Sequence, residues 1–201
     1  LWRGNTDNPR QSLAAWALVC RPKVSGGLGV LNLTIQNEAL LIKHLFKFFN
    51  KVDVPWVSLI WDSYYALSPP QSTQICGSFW WRDVMRLYPN LCKLAIPHVH
   101  AGDTVLFWLD RWHLGNRAVL LHDCFPRLCS FAVDEAITVK DFLEQTDILE
   151  HFHLPLSQEA YSEVTRLQAL LPLINLEAGS KDNWKWPAKS GDYRAKLYYD
   201  S

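Results

Sequence analysis

The sequence has one methionine, Met85, and starts at Leu1, so the chain is expected to be a piece of a longer reading frame. No apolar run approaches the ~18 residues of a membrane span, and no signal peptide is visible at the start. Neither sign of charge is in excess. Twenty Lys and Arg balance 20 Asp and Glu, so net charge does not point to nucleic acid. The cysteines, Cys20, Cys76, Cys92, Cys124 and Cys129, are odd in number and irregularly spaced. Without a Cys-x-x-Cys they form neither a disulfide framework nor a zinc motif, and free thiols in a reducing compartment fit best. The chain also has no Asp-Asp pair of the kind that holds two metal ions for phosphoryl transfer. Tyr198-Tyr199-Asp200-Ser201 carries one carboxylate in another context, so polymerase chemistry is not expected within these residues.

Aromatics are what the sequence has in abundance. Ten Trp occur in 201 residues, and most are expected in the core, where each ring buries a large area. Almost half the residues are apolar and a fifth are charged, the balance of a globular chain. Charge is unevenly spread. Residues 1–51 hold Arg3, Arg10, Arg21, Lys23, Lys43, Lys47 and Lys51 against Asp7 and Glu38, whereas residues 134–163 hold eight acids against Lys140. Such asymmetry allows a local site for an anionic partner, or two solvated faces.

Apolar spacing predicts a short helix over Leu13–Val19, closed near Cys20 by Arg21-Pro22. The clearest helix is 35–49. Ile35, Ala39, Ile42, Leu45 or Phe46, and Phe49 share one face, with Gln36, Lys43, Lys47 and Asn50 opposite. Asn32 and Thr34 are candidate N-caps, and Asn50 is expected to stop the helix in a left-handed conformation. Further helices are expected over 52–67, 79–88 (ended by Pro89), 138–150 and 157–171, the last capped by Ser157. Ser68-Pro69-Pro70 with Gln71–Gln74 is a linker candidate. Thr104–Trp108 reads as a strand, 113–133 as irregular, and 179–192 as a loop before a strand or helix at 193–199. The expected fold is α+β, mainly helical with a small β hairpin near 102–112.

Few residues carry chemistry. His98-x-His100 with Asp103 would place two imidazoles on one side of a strand, which would suit a metal hydrolase, but nothing completes a shell; His151-x-His153 is distant. Gly26-Gly27-Leu28-Gly29 lacks the Lys-Ser/Thr of a P-loop and reads as a tight turn. Lys43, Lys47 and Lys51, four residues apart, could contact phosphates together with Arg21 and Lys23, in a sequence-independent and salt-sensitive way.

Four runs then stand out in order. The first is Trp16-x-x-Val19-Cys20-Arg21-Pro22-Lys23-x-x-Gly26-Gly27-Leu28-Gly29-Val30-x-Asn32-Leu33, continuing through Gln36-Asn37-x-Ala39-Leu40-Leu41-x-Lys43. The second is Gly77-Ser78-Phe79-Trp80-Trp81-Arg82-Asp83-Val84. The third is Gly102-Asp103-Thr104-Val105-x-Phe107-Trp108-x-Asp110-x-Trp112, with Phe125–Ala132 after it. The fourth is His153–Ser157 with Asp182-x-Trp184.

Together they resemble the region of plant LINE-type (non-LTR) retrotransposon reverse transcriptases that lies after the polymerase palm and before a Cys/His zinc-binding module. The resemblance implies a thumb-like helical region over 1–67, a Trp-rich α+β segment over 68–133 and a helical segment over 134–201 leading to that module. It implies a chain that is not itself an enzyme and holds no cofactor, in a parent polymerase that would need Mg. RNA or DNA would be met through that parent; no membrane and no small-molecule substrate are expected. Arg21, Lys23, Lys43, Lys47 and Lys51 become the candidates for nucleic-acid backbone contact. Gly26, Gly27, Gly29, Trp80, Trp81, Gly102, Phe107, Trp108, Asp110 and Trp112 become structural positions. Thr104 stands where the pattern usually has a second glycine, which fits a decaying copy and leaves open a remnant that binds nothing specifically.

Overall fold

Arg21 ends the first helix, α1 (Trp16–Cys20), with ψ 147°, because the ring of Pro22 excludes the helical region for its predecessor. The computed structural model describes residues 15–66, 69–71, 75–177, 179–186 and 193–199. The expected helix residues Leu13 and Ala14, most of the linker candidate and the loop at 187–192 lie outside these. So do Arg3, Arg10, Asp200 and the proposed boundary at 67/68.

Asn32 starts α2 (Leu33–Phe49) by accepting the Thr34 N–H on its side-chain oxygen at 3.1 Å, the cap expected from the sequence. At the other end, Lys51 and not Asn50 is left-handed, with φ 43°. The Asn50 amide is engaged otherwise: it donates to the Phe46 and Trp184 carbonyls at 2.8 and 3.1 Å and accepts the Trp184 N–H at 2.9 Å. Ile35, assigned to the buried face, is exposed, whereas Ala39, Ile42, Leu45, Phe46, Phe48 and Phe49 are buried.

Pro55 opens α3 (Pro55–Tyr64), and Ser78 caps α4 (Phe79–Met85) through the Trp81 N–H. Pro89 does not end this helix. It lies in the first turn of a separate one, α5 (Tyr88–Leu94), where a missing N–H leaves no bond unmade. There follow β1 (Ile96–His98), β2 (Arg111–Leu114), β3 (Arg117–Leu120), α6 (Leu121–Cys124), α7 (Pro126–Cys129), α8 (Val139–Glu144) and α9 (Gln158–Leu170). Ser157 caps α9 through the Ala160 N–H at 3.1 Å, as its position predicts. The chain continues through β4 (Asn183–Lys185) to α10 (Ala195–Tyr199).

The fold is mainly helical α+β, with two antiparallel pairs among the described residues, β1–β4 and β2–β3. Both pairs correct the expected hairpin near 102–112. The hairpin is 111–120, turned at Gly115-Asn116 with Gly115 at φ 59°, so part of the stretch read as irregular is sheet. The stretch read as a loop contains β4, whose Trp184 faces Pro97. Residues 104–108 are not a strand. The Thr104 and Leu106 N–H groups are taken by the carboxylates of Asp182 and Asp110, which leaves one isolated bridge, Leu106 to Thr138. The helix expected at 138–150 is α8 followed by a separate 3₁₀ turn at Ile148–His151.

The described residues fall into two units. One holds residues up to Leu40 with α10; within it the Asn32 N–H donates to the Tyr199 hydroxyl at 2.7 Å. The other runs Leu41–Arg194 and is built on aromatic pairs. Phe48 stacks on Trp61 at 4.4 Å, Phe49 on Tyr88 at 5.0 Å, and Phe107 on Phe142 at 3.7 Å. Buried indole N–H groups find acceptors, as burial requires: Trp81 donates to the Tyr65 hydroxyl, Trp112 to the Phe107 carbonyl and Trp184 to the Thr104 hydroxyl.

Candidate nucleic-acid interface

Lys43 and Lys47 lie one turn apart on α2 and are neighbours on its surface. Lys43 is exposed and Lys47 half-buried, and neither forms an ion pair among the described residues. Lys51 differs. Its ammonium pairs with Asp103 and lies 4.8 Å from the Trp61 ring centroid, so its charge is already matched. Arg21 and Lys23 are exposed in the other unit.

The glycine loop beside Arg21 and Lys23 cannot cradle a phosphate, because its N–H groups are used internally. Those of Gly26, Gly27, Leu28 and Gly29 donate to the carbonyls of Lys23, Pro22, Val19 and Arg21. A Cβ on Gly27 would stand 2.0 Å from the Arg21 carbonyl oxygen, so the tight turn itself demands glycine there.

The side of α2 next to Lys47 carries an aromatic cluster. His44 makes edge contacts with Trp56 at 5.6 Å and Trp80 at 5.2 Å, and its Nδ1 is buried without a hydrogen-bond partner among the described residues. Burial, then the charges of Lys47 and Lys43, hold the imidazole below its usual pKa. Trp81, beside Trp80 in sequence, is fully buried against Phe48.

The remaining motif residues serve the fold. Asp182 is buried and accepts four hydrogen bonds: from the N–H groups of His100 (2.8 Å), Gly102 (2.7 Å) and Thr104 (3.0 Å), and from the Thr104 hydroxyl (2.9 Å). Asp110, also buried, accepts from the Leu106 N–H at 2.8 Å and the Tyr88 hydroxyl at 2.9 Å. Burial raises its carboxyl to about 6, against the opposing pull of these bonds. Asp110 floors a cleft of about 520 Å³ with Leu106, Leu109 and Leu120 on its walls and Lys93 and Arg111 beside them. Phe107, Trp108 and Trp112 are all fully buried.

The histidines separate. His98 stacks on His113 at 4.2 Å, while His100 approaches Glu177 at 3.5 Å. Among the described residues no group of three or more His, Cys, Asp or Glu could hold a metal ion, and no helix is long and apolar enough to cross a membrane. All five cysteines are free.

Sequence reasoning did not find the roles of Asp182, Asn50 or the His44–Trp56–Trp80 cluster. Asp182-x-Trp184 stood out only as a pattern, and Asn50 was assigned a backbone role. The alternation of Lys and aromatic residues through 43–49 was the available sign of the cluster.

No family model and no solved structure matches the chain. A protein of Arabidopsis thaliana named "Putative ribonuclease H protein" is 22% identical over 211 residues, covering 100% of this chain and 32% of that protein. An uncharacterized mitochondrial protein of the same plant is 29% identical over 118 residues, covering 55% of this chain and 75% of that protein. The chain spans about a third of the length of the first relative. This similarity overturns the expectation that the chain is not an enzyme, since a relative that matches this chain from end to end, over 32% of its own length, bears an enzyme's name.

Proposed function

We propose that the chain is a nucleic-acid-contacting segment of a plant retroelement-derived enzyme, a LINE-type reverse-transcriptase polyprotein, in which Lys43 and Lys47 neutralise backbone phosphates. The observation that carries this reading is the similarity, along the whole of this chain and 32% of the relative, to a protein named for ribonuclease H, an activity on nucleic acid. The four ordered sequence runs add the LINE-type origin. The structure narrows the candidate cations. Lys51 is paired with Asp103, so Lys43 and Lys47 are the α2 lysines whose charge is open to phosphate. Such contacts are sequence-independent and release counterions on binding, so affinity falls with salt. Magnesium belongs to the chemistry of the parent polymerase in this reading.

The test is fluorescence anisotropy of a labelled RNA–DNA hybrid with the full chain at about 50 and 200 mM salt, a range over which phosphate contacts weaken steeply. Replacing Lys43 and Lys47 together by Ala is expected to weaken binding and to flatten the log–log salt slope by roughly 2, about 0.9 per phosphate contact. Unchanged affinity and slope in the double variant would end the reading.

A further inference from the structure

Trp80 and Phe79 open α4 and are only partly covered. Phe79 is 77% exposed and Trp80 36% exposed, in a chain whose other aromatic side chains mostly fill the core. Trp80 makes no face-to-face stack with its described neighbours. It meets His44 at 84° and Trp56 at 87°, and leans on Trp81 at 41°. This edge-on packing fixes the ring without a parallel partner on its face. His44, which touches both Trp56 and Trp80, is followed one turn later on α2 by Lys47, itself one turn after Lys43. On α4, exposed Arg82 lies one turn after Phe79, while Arg86 is paired with Asp83. A held ring, Trp80, and cations with no ion pair among the described residues therefore border one another within a single unit.

We infer that Trp80, held by His44 and Trp56 beside Lys43 and Lys47, and the exposed Phe79 that precedes it on α4 form a stacking site for the bases of single-stranded nucleic acid. The inference rests on the phosphate contacts proposed for Lys43 and Lys47. It adds that the site takes unpaired bases and not only backbone. Lysines alone hold any polyanion, and bases inside a duplex offer no free faces. Aromatic rings next to cations select strands whose bases are unstacked, because every base has a π face to lay on a ring while its phosphates reach the lysines. Sequence preference is weak for the same reason, since stacking reads no base edges.

The experiment uses the full chain and three labelled probes followed by anisotropy: oligothymidylate, an abasic oligomer of the same length, and a duplex. Oligothymidylate is expected to bind about tenfold tighter than the abasic backbone, the scale of one base stacked on an aromatic ring. Phe79→Ala changes an exposed side chain and is expected to erase that advantage while leaving the salt slope and the duplex affinity unchanged. Phe79→Tyr keeps a ring and is expected to keep the advantage. Equal binding of abasic and base-bearing strands would overturn the stacking site. If that equal binding still falls with salt and with Lys43→Ala and Lys47→Ala, the phosphate reading stands without it. Binding of none of the probes would remove both.

Discussion

Asp182→Ala should be among the most destabilising substitutions of a carboxylate in this chain. Asp182 lies 78–82 residues from the groups it binds, so it joins the loop 100–104 to β4 through its side chain. Removing it leaves the N–H groups of His100, Gly102 and Thr104 without an acceptor; Gly102 and Thr104 are buried, beyond the reach of water. Each buried donor left unmade costs about 1–3 kcal/mol, so two give roughly 2–6 kcal/mol, a large part of the ~5–15 kcal/mol that holds a domain folded. With a urea dependence of about 2 kcal/mol/M, the midpoint of unfolding should fall by roughly 1–3 M. Tryptophan fluorescence reads the transition, because Trp184 lies at the clamp. Asp182→Asn should fall between: its amide oxygen still accepts two N–H groups, but its NH₂ group then faces the Thr104 N–H, donor against donor. A midpoint shift below ~0.5 M for Asp182→Ala, about 1 kcal/mol, would show that these donors are not stranded.

Gly102→Ala should cost more than Gly26→Ala, although the two glycines have nearly equal φ, 76° and 78°. A Cβ on Gly102 would come within 2.9 Å of the Lys140 backbone nitrogen, whereas one on Gly26 meets nothing within 4 Å. Gly26→Ala therefore carries only the left-handed penalty of about 1–2 kcal/mol, and equal denaturation midpoints for the two variants would contradict this. Asp110 should make stability depend on pH. Its folded pKa, about 6, is raised from 3.8, so the folded state binds this proton more tightly than the unfolded one. Its stabilising contribution is complete below about pH 4 and is lost as pH rises towards 6, a change on the order of 3 kcal/mol. Comparing urea midpoints of the wild type and Asp110→Asn across that window tests this, and a constant difference between them would exclude it.

Local signals in the sequence marked the helices well, because their causes are local. Arg21-Pro22, Asn32 and Ser157 end or start helices through atoms within four residues of themselves. The hairpin was equally local, and its Gly115-Asn116 turn was there to be read. The β-rich run at 104–108 competes with it, because β-branched and aromatic residues dominate that run. What makes that run irregular is remote: Asp182 holds the Thr104 N–H from 78 residues away, and no window along the sequence contains both. Pro89 shows the same difficulty at short range, since a proline that can end one helix can equally begin the next.

The residues that carry the resemblance are mostly those that build the fold. Asp182 grips the loop of the Gly102-Asp103 run, Asn50 grips Trp184 by both backbone groups, and the Trp184 indole returns to Thr104. The third and fourth sequence runs are thus two sides of one polar clamp. Thr104, the departure from the pattern, is absorbed into that clamp: its hydroxyl donates to Asp182 and accepts from Trp184. A glycine there would supply the N–H but neither of these two bonds. Threonine therefore makes two contacts here that glycine could not. The groups proposed to meet nucleic acid, Lys43, Lys47, Phe79 and Trp80, lie on α2 and α4 and make none of the clamp's hydrogen bonds. Changes at the clamp should therefore register in stability, and changes at those four residues in binding.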